Sequence, residues 1–360
     1  MKRSWIVIFL LMIAGGVVHA FTTPTEEPID LDALYQQIDE AISQSPQYVA
    51  EKERQIAGCR DSLLIEKSLE KRVQMAERLF MLYQPYKNDS ALHYAELCIS
   101  LADSLRRSDL VGRFRSMMAY QCSNSDLYNE SLDQLRMVDK TALDNQGLCE
   151  YYNAWMHVCG EIGHYTQRPD VQHEYYHLQN LYRDSVLMVA EKDSEHYLHL
   201  KVDVLNARQQ YQDALKVSDE WFHKIADKTH ESAYAAFYRS MVYEKLENHD
   251  MVRYWLGQSA LEDIQCAVMN QASLLFLAEH LLDDGDTERA KRYMEYAKDC
   301  NLFFCPLLRN YQVHSVIKVL ESNSQAAQAR ANLILYIAIG VIVLIIMALL
   351  IVFIIRKKQT

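Results

Sequence analysis

Two histidines and a glutamate lie at the spacing of a catalytic zinc site. His173, Glu174 and His177 fit the HExxH pattern, in which two histidines one helical turn apart bind zinc and the glutamate acts as the general base. A catalytic zinc also needs a third protein ligand. The residues that could supply it are Glu191, Glu195 and His196. This interpretation would make the chain an exported metalloprotease.

A packed helix surface explains the same segment with fewer requirements. The HExxH pattern specifies only three residues, and a chain with 13 His and 48 Asp and Glu residues can match it by chance. The two middle positions are Tyr175 and Tyr176, whose bulky rings suit helix packing. The sequence has no GxxxxGK[ST] phosphate loop, GxSxG elbow or kinase signature. We therefore predict no enzyme activity, no cofactor, and no catalytic, cofactor-binding or metal-binding residue.

The composition favours helices joined by short connections. Only 10 of the 360 residues are Gly and 6 are Pro, so turn-forming residues are few. The formal net charge is −11, and the Lys and Arg residues do not gather into a patch. We expect no nucleic-acid binding by the folded part, because that needs a basic surface.

The second half of the chain repeats a helix–turn–helix pattern of large and small apolar residues. Alanines let two helices approach closely, and large residues fill the space beside them. The clearest copy has a turn at residues 284–286, flanked by Leu274, Leu277, Ala278, Leu281, Ala290, Met294 and Ala297. An earlier copy has a turn at residues 209–210, flanked by Leu198, Val202, Leu205, Ala214, Ser218 and Trp221. The pattern predicts an all-α solenoid of tetratricopeptide (TPR) type.

Weaker copies extend this array over residues 31–306, as roughly five or six helix pairs with a period slightly above the usual one. One degenerate copy occupies residues 235–246 and 251–261. Near the start, Pro46 is predicted to end the first helix, and residues 88–90 to cap a later one. A third, weak copy is marked by Met118, Ala119, Cys122, Ser131, Leu135 and Val138. The last repeat is predicted to break after Cys300, at residues 301–306.

Tyrosine is abundant in residues 150–189, which are predicted to form two helices broken near residues 163–169. The tyrosines are Tyr151, Tyr152, Tyr165, Tyr175, Tyr176 and Tyr182. Such rings fill space between repeats while their hydroxyls reach water. The alternative is that they face a concave groove and grip a peptide, although the sequence singles out none of them.

The N-terminus carries an export pattern. Residues 5–14 form an apolar run after two basic residues, and Val18 and Ala20 give a small-residue cleavage pattern. We predict a signal peptide over residues 1–20 and a flexible leader over residues 21–30. An uncleaved first membrane span is the alternative.

The C-terminal region carries an anchor pattern. Residues 333–355 form an uncharged apolar run long enough to cross a bilayer as a helix, whereas a buried core helix of that length would carry a polar face. Basic residues follow at once and mark residues 356–360 as a cytoplasmic tail. Residues 307–332 are predicted to form a juxtamembrane helix. These patterns predict a single-pass protein in contact with inner-membrane lipid, with residues 31–306 in the periplasm.

The eight cysteines form no compact framework and no CxxC motif. Most lie where a helical pattern needs a small apolar residue, so buried free thiols are favoured. Export would permit disulfides as the alternative, and Cys300 with Cys305 would be the best-placed local pair.

Four segments together resemble a known family. They are KERQIAGCRDSL (52–63), YKNDSALHYAELCISLADSL (86–105), LAEHLLDDGDTERAKRYMEYAKDCNLFF (277–304) and YQVHSVIKVLES (311–322). Their order is similar to that in a family of Bacteroidota membrane proteins of unknown function. The resemblance implies a signal peptide, periplasmic TPR-like repeats and one transmembrane helix. Members usually continue into a cytoplasmic DNA-binding regulatory region, whereas this sequence stops at Thr360.

The resemblance implies a sensory or regulatory role. We predict a membrane-anchored periplasmic sensor or protein-interaction module that binds a protein or peptide and signals through residues 307–332, within a homodimer. A periplasmic scaffold without signalling is the second hypothesis, and the zinc protease is the third. The sequence leaves open whether the chain is a fragment, a shortened relative or a subunit that signals through a partner.

Overall fold

A computed structural model of the protein describes residues 29–226, 228–304, 330, 332–340 and 347. Regular structure in this part of the chain is entirely helical. The helices are α1 (Leu31–Ile65), α2 (Leu69–Tyr83), α3 (Asn88–Ser104), α4 (Ser108–Ser123), α5 (Tyr128–Arg136), α6 (Asn145–Tyr165), α7 (Pro169–Val189), α8 (Glu195–Ala207), α9 (Tyr211–Phe222), α10 (His230–Lys245), α11 (His249–Gln265), α12 (Ala272–Asp283) and α13 (Thr287–Phe304). A short 3₁₀ helix, Lys140–Ala142, lies between α5 and α6. The all-α prediction is confirmed.

Consecutive helices pack as hairpins, as the repeat pattern predicts. In the pair α12–α13, Ala278 and Ala290 are completely buried, which lets the two helices approach closely. Gly285 turns the chain with a φ of +88°, a left-handed conformation that glycine adopts without a steric penalty. The pairs α8–α9, α10–α11 and α6–α7 fall where the sequence predicts them, so the strong copies, the degenerate copy and the tyrosine-rich segment are all confirmed as hairpins.

The prediction that Pro46 ends the first helix was wrong, because α1 runs unbroken through it. A proline inside a helix removes one backbone hydrogen bond and normally interrupts the helix. Here both halves of α1 are anchored by packing, since Ile38 and Ile56 are almost completely buried on either side of the proline. Tertiary contacts therefore outweigh the local cost of the proline.

Helix α1 also packs against the far end of the array, which the repeat pattern does not predict. Contacts with α11 and α13 form what we call the closing seam, made by Leu34, Tyr35, Ile38, Gly257 and Tyr293. A Cβ on Gly257 would lie 2.7 Å from Cδ2 of Leu34, so glycine allows this close approach. The Tyr293 hydroxyl donates to the Tyr35 carbonyl over 3.2 Å. The first helix and the last repeat are thereby fixed to each other.

Three local predictions need smaller corrections. Asn88 does not cap α3: it is buried, and its side-chain oxygen accepts a hydrogen bond from Gln121 Nε2 at 2.7 Å, while Lys87 takes the cap position. Helix α13 continues through Phe304, beyond the break predicted after Cys300, because Phe304 is buried in the core formed with α2 and α3. Val138 lies beyond the end of α5.

Several predicted segments lie outside the described residues. These are the signal peptide, most of the leader, residues 307–329, much of the 333–355 segment, the tail and Cys305. Residues 332–340 are helical. Within the described residues, no helix combines the length and the apolar character needed to span a membrane.

The described cysteines are free thiols, as predicted. Five are buried, namely Cys98, Cys122, Cys149, Cys159 and Cys300. Burial raises the pKa of Cys122 and of Cys149 to about 12, so these thiols stay protonated at neutral pH. They act as small apolar residues in the core.

Candidate functional site

The HExxH residues do not assemble a metal site. His173, Glu174 and His177 are exposed on α7, which continues without interruption past them. The proposed third ligand His196 lies instead 3.7 Å from a carboxylate oxygen of Glu150. Among the described residues, no three His, Cys, Asp or Glu side chains come close enough together to hold a metal ion.

The tyrosine-rich hairpin α6–α7 uses its rings for packing. Trp155 and Tyr182 stack with ring centroids 5.2 Å apart, and Tyr152 also stacks with Tyr182, at 6.3 Å. Offset stacking of this kind stabilises a helix pair. The packing interpretation of this segment therefore accounts for these rings.

A different set of side chains converges on one place. Tyr234 and Tyr238, one turn apart on α10, bring their hydroxyl oxygens to 3.2 Å. Burial is the largest cause of a raised pKa at Tyr120. Charge on Tyr238 and on Glu195 raises this pKa further. Ring contacts join α8 to α10 here, because the His199 centroid lies 5.3 Å from that of Tyr238, and the electrostatic influence of Tyr238 and Glu195 extends to Tyr120 on α4. We call Tyr120, Glu195, His199, Tyr234 and Tyr238 the inner polar cluster.

Local sequence fixes the helices that carry this cluster. Ser194 caps α8 by accepting a hydrogen bond from the Tyr197 amide, which places Glu195 in the first turn. Thr229 and Ser232 form a reciprocal capping box at the start of α10. Fully buried alanines on the other sides of α10, such as Ala235, hold that helix in the array and leave Tyr234 and Tyr238 half-buried. The tyrosines are thus presented from a rigid helix.

His199 is the aromatic base of the cluster. Its ring lies 5.6 Å from Tyr234, 5.3 Å from Tyr238 and 6.3 Å from Trp221, measured between centroids. Nδ1 is 3.0 Å from the Glu195 carbonyl, which can only accept, so Nδ1 carries the proton. Burial lowers the pKa of His199 to about 3. This imidazole is therefore neutral at physiological pH.

Carboxylates give the surroundings of the cluster a negative character. Glu195 is exposed to solvent, but desolvation by the surrounding protein raises its pKa. Glu231 and Glu150 raise this pKa further, whereas His196 and His230 lower it. Burial likewise raises the pKa of Asp203, which also acts on Tyr238. Arg183, 3.9 Å from Asp203, opposes the rise there. Carboxyl groups with raised pKa values cluster at functional sites.

A histidine–aspartate pair lies at the edge of the cluster. His230 Nδ1 is 2.8 Å from Oδ1 of buried Asp263. Desolvation alone would lower the pKa of His230, but Asp263 and Glu195 raise it. Lys52 of α1 interacts with His230 and opposes this rise. The closing seam therefore also brings the first helix to the edge of the cluster.

This arrangement is suited to binding. Tyrosine hydroxyls and carboxylates can take up hydrogen bonds and positive charge, and aromatic rings provide contact area. Sequence reasoning missed these residues because they are spread from Tyr120 to Tyr238 with no linear motif. The available signal was the one-turn spacing of Tyr234 with Tyr238 and of Glu195 with His199 on neighbouring repeats.

Comparison with known proteins identifies the repeat array. A family model described as the SusR N-terminal TPR domain matches residues 42–315. No curated protein matches the chain. Among solved structures, the TPR2AB-domain:pHSP90-complex of yeast Sti1 is 8% identical with a TM-score of 0.29, covering 80% of this chain and 99% of that one. The TPR-like solenoid predicted from the sequence is confirmed by the family match, and such domains are protein-interaction modules.

Proposed function

This chain belongs to the family of the SusR N-terminal TPR domain, and from this we propose that it is a membrane-anchored sensor module that binds a peptide or protein outside the cytoplasm. The module has no enzymatic role and forms the input part of a transmembrane regulatory protein. Binding at the inner polar cluster changes the repeat array, and residues 307–332 pass the change to the membrane helix.

The inner polar cluster is the observation that carries this proposal. Desolvation raises the pKa of Glu195 and of Asp203, so the protein around them disfavours their charged forms, although His196 opposes this at Glu195 and Arg183, 3.9 Å from Asp203, opposes it there. Packing does not account for Glu195, because its side chain is exposed, and a ligand group of complementary chemistry would satisfy its carboxylate.

The membrane part of the proposal is supported by the sequence. Residues 333–355 contain no charged residue and no proline, and a basic cluster follows immediately. A helix leading directly from the last repeat into the bilayer would move with the array. A flexible connection would only tether it.

The topology is tested with a periplasm-active phosphatase fused after Thr229 in cells. We expect activity from this fusion and none from the same enzyme fused after Thr360. A cytosol-active reporter provides the reciprocal control. Activity of only the cytosolic reporter at residue 229 would overturn the sensing role, whatever the fold.

Signal transfer is tested by insertions at Gln325, because each added residue rotates a helix by about 100°. The readout is the set of transcripts whose levels differ between cells with and without the intact gene. Inserting two or three residues should abolish these differences. Inserting seven residues restores the helical phase to within about 20° and is the matched control, which should retain them. An unchanged response to all insertions would favour a scaffold over a sensor.

A further inference from the structure

Three large apolar side chains remain accessible between α10 and α12. Phe276 on α12 is 47% exposed and Met241 on α10 is 38% exposed. Phe237 lies one turn before Met241 and is half-buried, with its ring centroid 5.9 Å from that of Phe276. These side chains therefore form one surface that crosses from one hairpin to the next, and we call Phe237, Met241 and Phe276 the apolar patch.

We infer that the apolar patch binds a large apolar side chain of an extended peptide that carries an arginine or a lysine two residues away. This inference rests on the proposed function and names the chemical class of its ligand. Tyr238 is adjacent to the patch, because its ring centroid lies 6.0 Å from that of Phe237. A peptide lying on the patch would therefore reach the inner polar cluster as well.

Packing within the patch does not account for its exposed surface. Phe276 keeps almost half of its surface accessible although its ring contacts Phe237. On the same helix, the residues that pack into the array, Leu274 and Leu277, are completely buried. An exposed aromatic ring grouped with other apolar side chains is typical of a binding anchor.

The size of the patch favours a peptide over a second copy of the chain. An aromatic side chain buries about 150–250 Å² when it is fully covered, so three partly covered apolar side chains offer roughly 200–300 Å². A specific interface between two proteins buries about 800 Å² on each partner. The patch can therefore hold one or two side chains, but it is too small to hold a dimer together.

A second contact between the same helices shows what lies next to the patch. His280 Nε2 on α12 is 3.7 Å from a carboxylate oxygen of Glu244 on α10. This ion pair and the phenylalanine contact together show that α10 and α12 run side by side in the same direction. Helical spacing then places Glu244, Glu279 and Asp283 on the face that carries the patch, towards the C-terminal ends of the helices.

This neighbouring region has an excess of negative charge. Its carboxylates are Glu244, Glu247, Asp250, Glu279, Asp283 and Asp284, and its basic side chains are Lys245, His249, Arg253 and His280. The carboxylates outnumber the basic groups even when both histidines are counted as charged. Helices α10 and α12 also end here, and helix C-termini favour cations. A basic side chain of the ligand would relieve this charge, whereas an acidic one would add to it.

The spacing of the two regions sets the spacing of the two ligand residues. In an extended peptide, alternate side chains point to the same side and stand about 6–7 Å apart. The acidic region begins about one helical turn beyond the patch, which is about 5 Å along the helix axis. A basic residue two positions from the apolar residue would therefore reach it.

Hexapeptide pools test this inference with the full chain purified in mild detergent and immobilised. The third and fifth positions are fixed as Phe and Arg, Arg and Phe, Phe and Glu, or Ser and Arg, and the other positions are randomised. Retained peptides are quantified by mass spectrometry. We expect the better of the first two pools, which differ in chain direction, to be retained at least about tenfold over the last two. Equal retention of the Phe–Glu pool or of the Ser–Arg pool would overturn the inference.

Substitutions locate the effect on the molecule. Phe276→Ala should reduce the preference for Phe over Ser to about threefold or less. Leu181→Ala removes another exposed apolar side chain, 54% accessible on α7, and is the matched control that should keep the preference. Glu279→Gln should weaken the discrimination of Arg from Glu and leave the preference for Phe unchanged. Thermal unfolding checks that each variant is folded, and an unchanged preference in folded Phe276→Ala would contradict the assignment.

A second copy of the chain as the occupant is tested by sedimentation of the wild type and of Phe276→Ala. We expect the two proteins to have the same oligomeric state. Dissociation of an oligomer by Phe276→Ala would assign the patch to self-association and overturn the inference.

Failure here can be separated from failure of the proposed function. If no pool is preferred but a photo-crosslinker at position 238 still captures a partner in cells, only the ligand class assigned to the apolar patch is wrong. If neither experiment gives a signal, the binding role of the inner polar cluster falls as well.

Discussion

The closing seam and the inner polar cluster differ in how completely their side chains are satisfied. At the seam, Ile38 and Tyr293 are fully buried and the Tyr293 hydroxyl has a backbone partner. In the cluster, Tyr234 and Tyr238 are half-buried, and Glu195 has a raised pKa and an open carboxylate. The seam therefore stabilises the array, whereas the cluster contains polar groups with which a ligand can still form interactions. Substitutions at the two places should separate stability from binding.

The largest effect on stability should come from Tyr293→Ala in the seam. Removing a fully buried aromatic ring leaves a cavity and is expected to lower the free energy of unfolding by about 3–5 kcal/mol. Tyr238→Ala in the cluster is the matched control and should cost clearly less, because that ring is only half-buried. Urea unfolding of the full chain measures both. A larger loss for Tyr238→Ala would reverse the roles assigned to the two regions.

Acid should destabilise the cluster through His199. Its pKa is about 3 in the folded chain and about 6.5 when unfolded, so its stabilising contribution is complete above pH 6.5 and is lost as the pH falls. The cost is about 1.4 kcal/mol per pH unit, or about 2 kcal/mol at pH 5. The His199→Gln variant should therefore lose about 2 kcal/mol less than the wild type between pH 7 and pH 5.

Urea unfolding of both proteins at the two pH values isolates the contribution of His199, because the wild type and the variant share every other titratable group. Parallel stability losses in the wild type and in His199→Gln would show that His199 titrates normally and is not enclosed as described.

Two glycines should respond to alanine with opposite signs. Gly58→Ala in α1 meets nothing within 4 Å and should stabilise the chain by about 0.5–1 kcal/mol through helix propensity. Gly257→Ala would bring a Cβ to 2.7 Å from the buried Leu34 side chain, so a net loss of about 1 kcal/mol is expected. Thermal unfolding of both variants checks this, and an equal gain at Gly257 would mean that α1 does not approach α11 closely.

The smallest effect should come from the ion pairs at the edge of the seam. Asp39 lies 3.1 Å from Arg292 and 3.8 Å from Arg289, and all three side chains remain partly exposed. Asp39→Asn should cost less than about 1 kcal/mol, and added salt should reduce the difference further. A loss comparable to that of Tyr293→Ala would show that charge rather than packing holds the seam.

The sequence predicts the hairpins well because each is local. The alternation around Ala278 and Ala290 and the turn at Gly285 lie within one stretch of chain, so periodicity reveals them. The passage of α1 through Pro46 and its contact with Gly257 could not be predicted, because packing between residues more than 200 positions apart decides both. Local propensity is overridden there by tertiary contacts.

The inner polar cluster was hidden for the same reason. The rings of His199, Tyr234 and Tyr238 meet only because neighbouring hairpins stack, and none of these residues belongs to a recognisable motif. The segments that attracted attention instead, HExxH on α7 and the tyrosines of α6 and α7, are an exposed helix face and a packing layer. Residue spacing within one helix identifies a shared face, but not which faces of separate repeats come together.

Site-specific photo-crosslinking in cells tests the central claim most directly. A benzophenone amino acid is placed at position 238 in the cluster and, separately, at the exposed Lys216 on α9. We predict a discrete covalent adduct from position 238 that is absent at position 216 and is weakened by Glu195→Gln. Equal adducts at both positions, or an adduct only at position 216, would contradict the account that the inner polar cluster is where this repeat array binds its ligand.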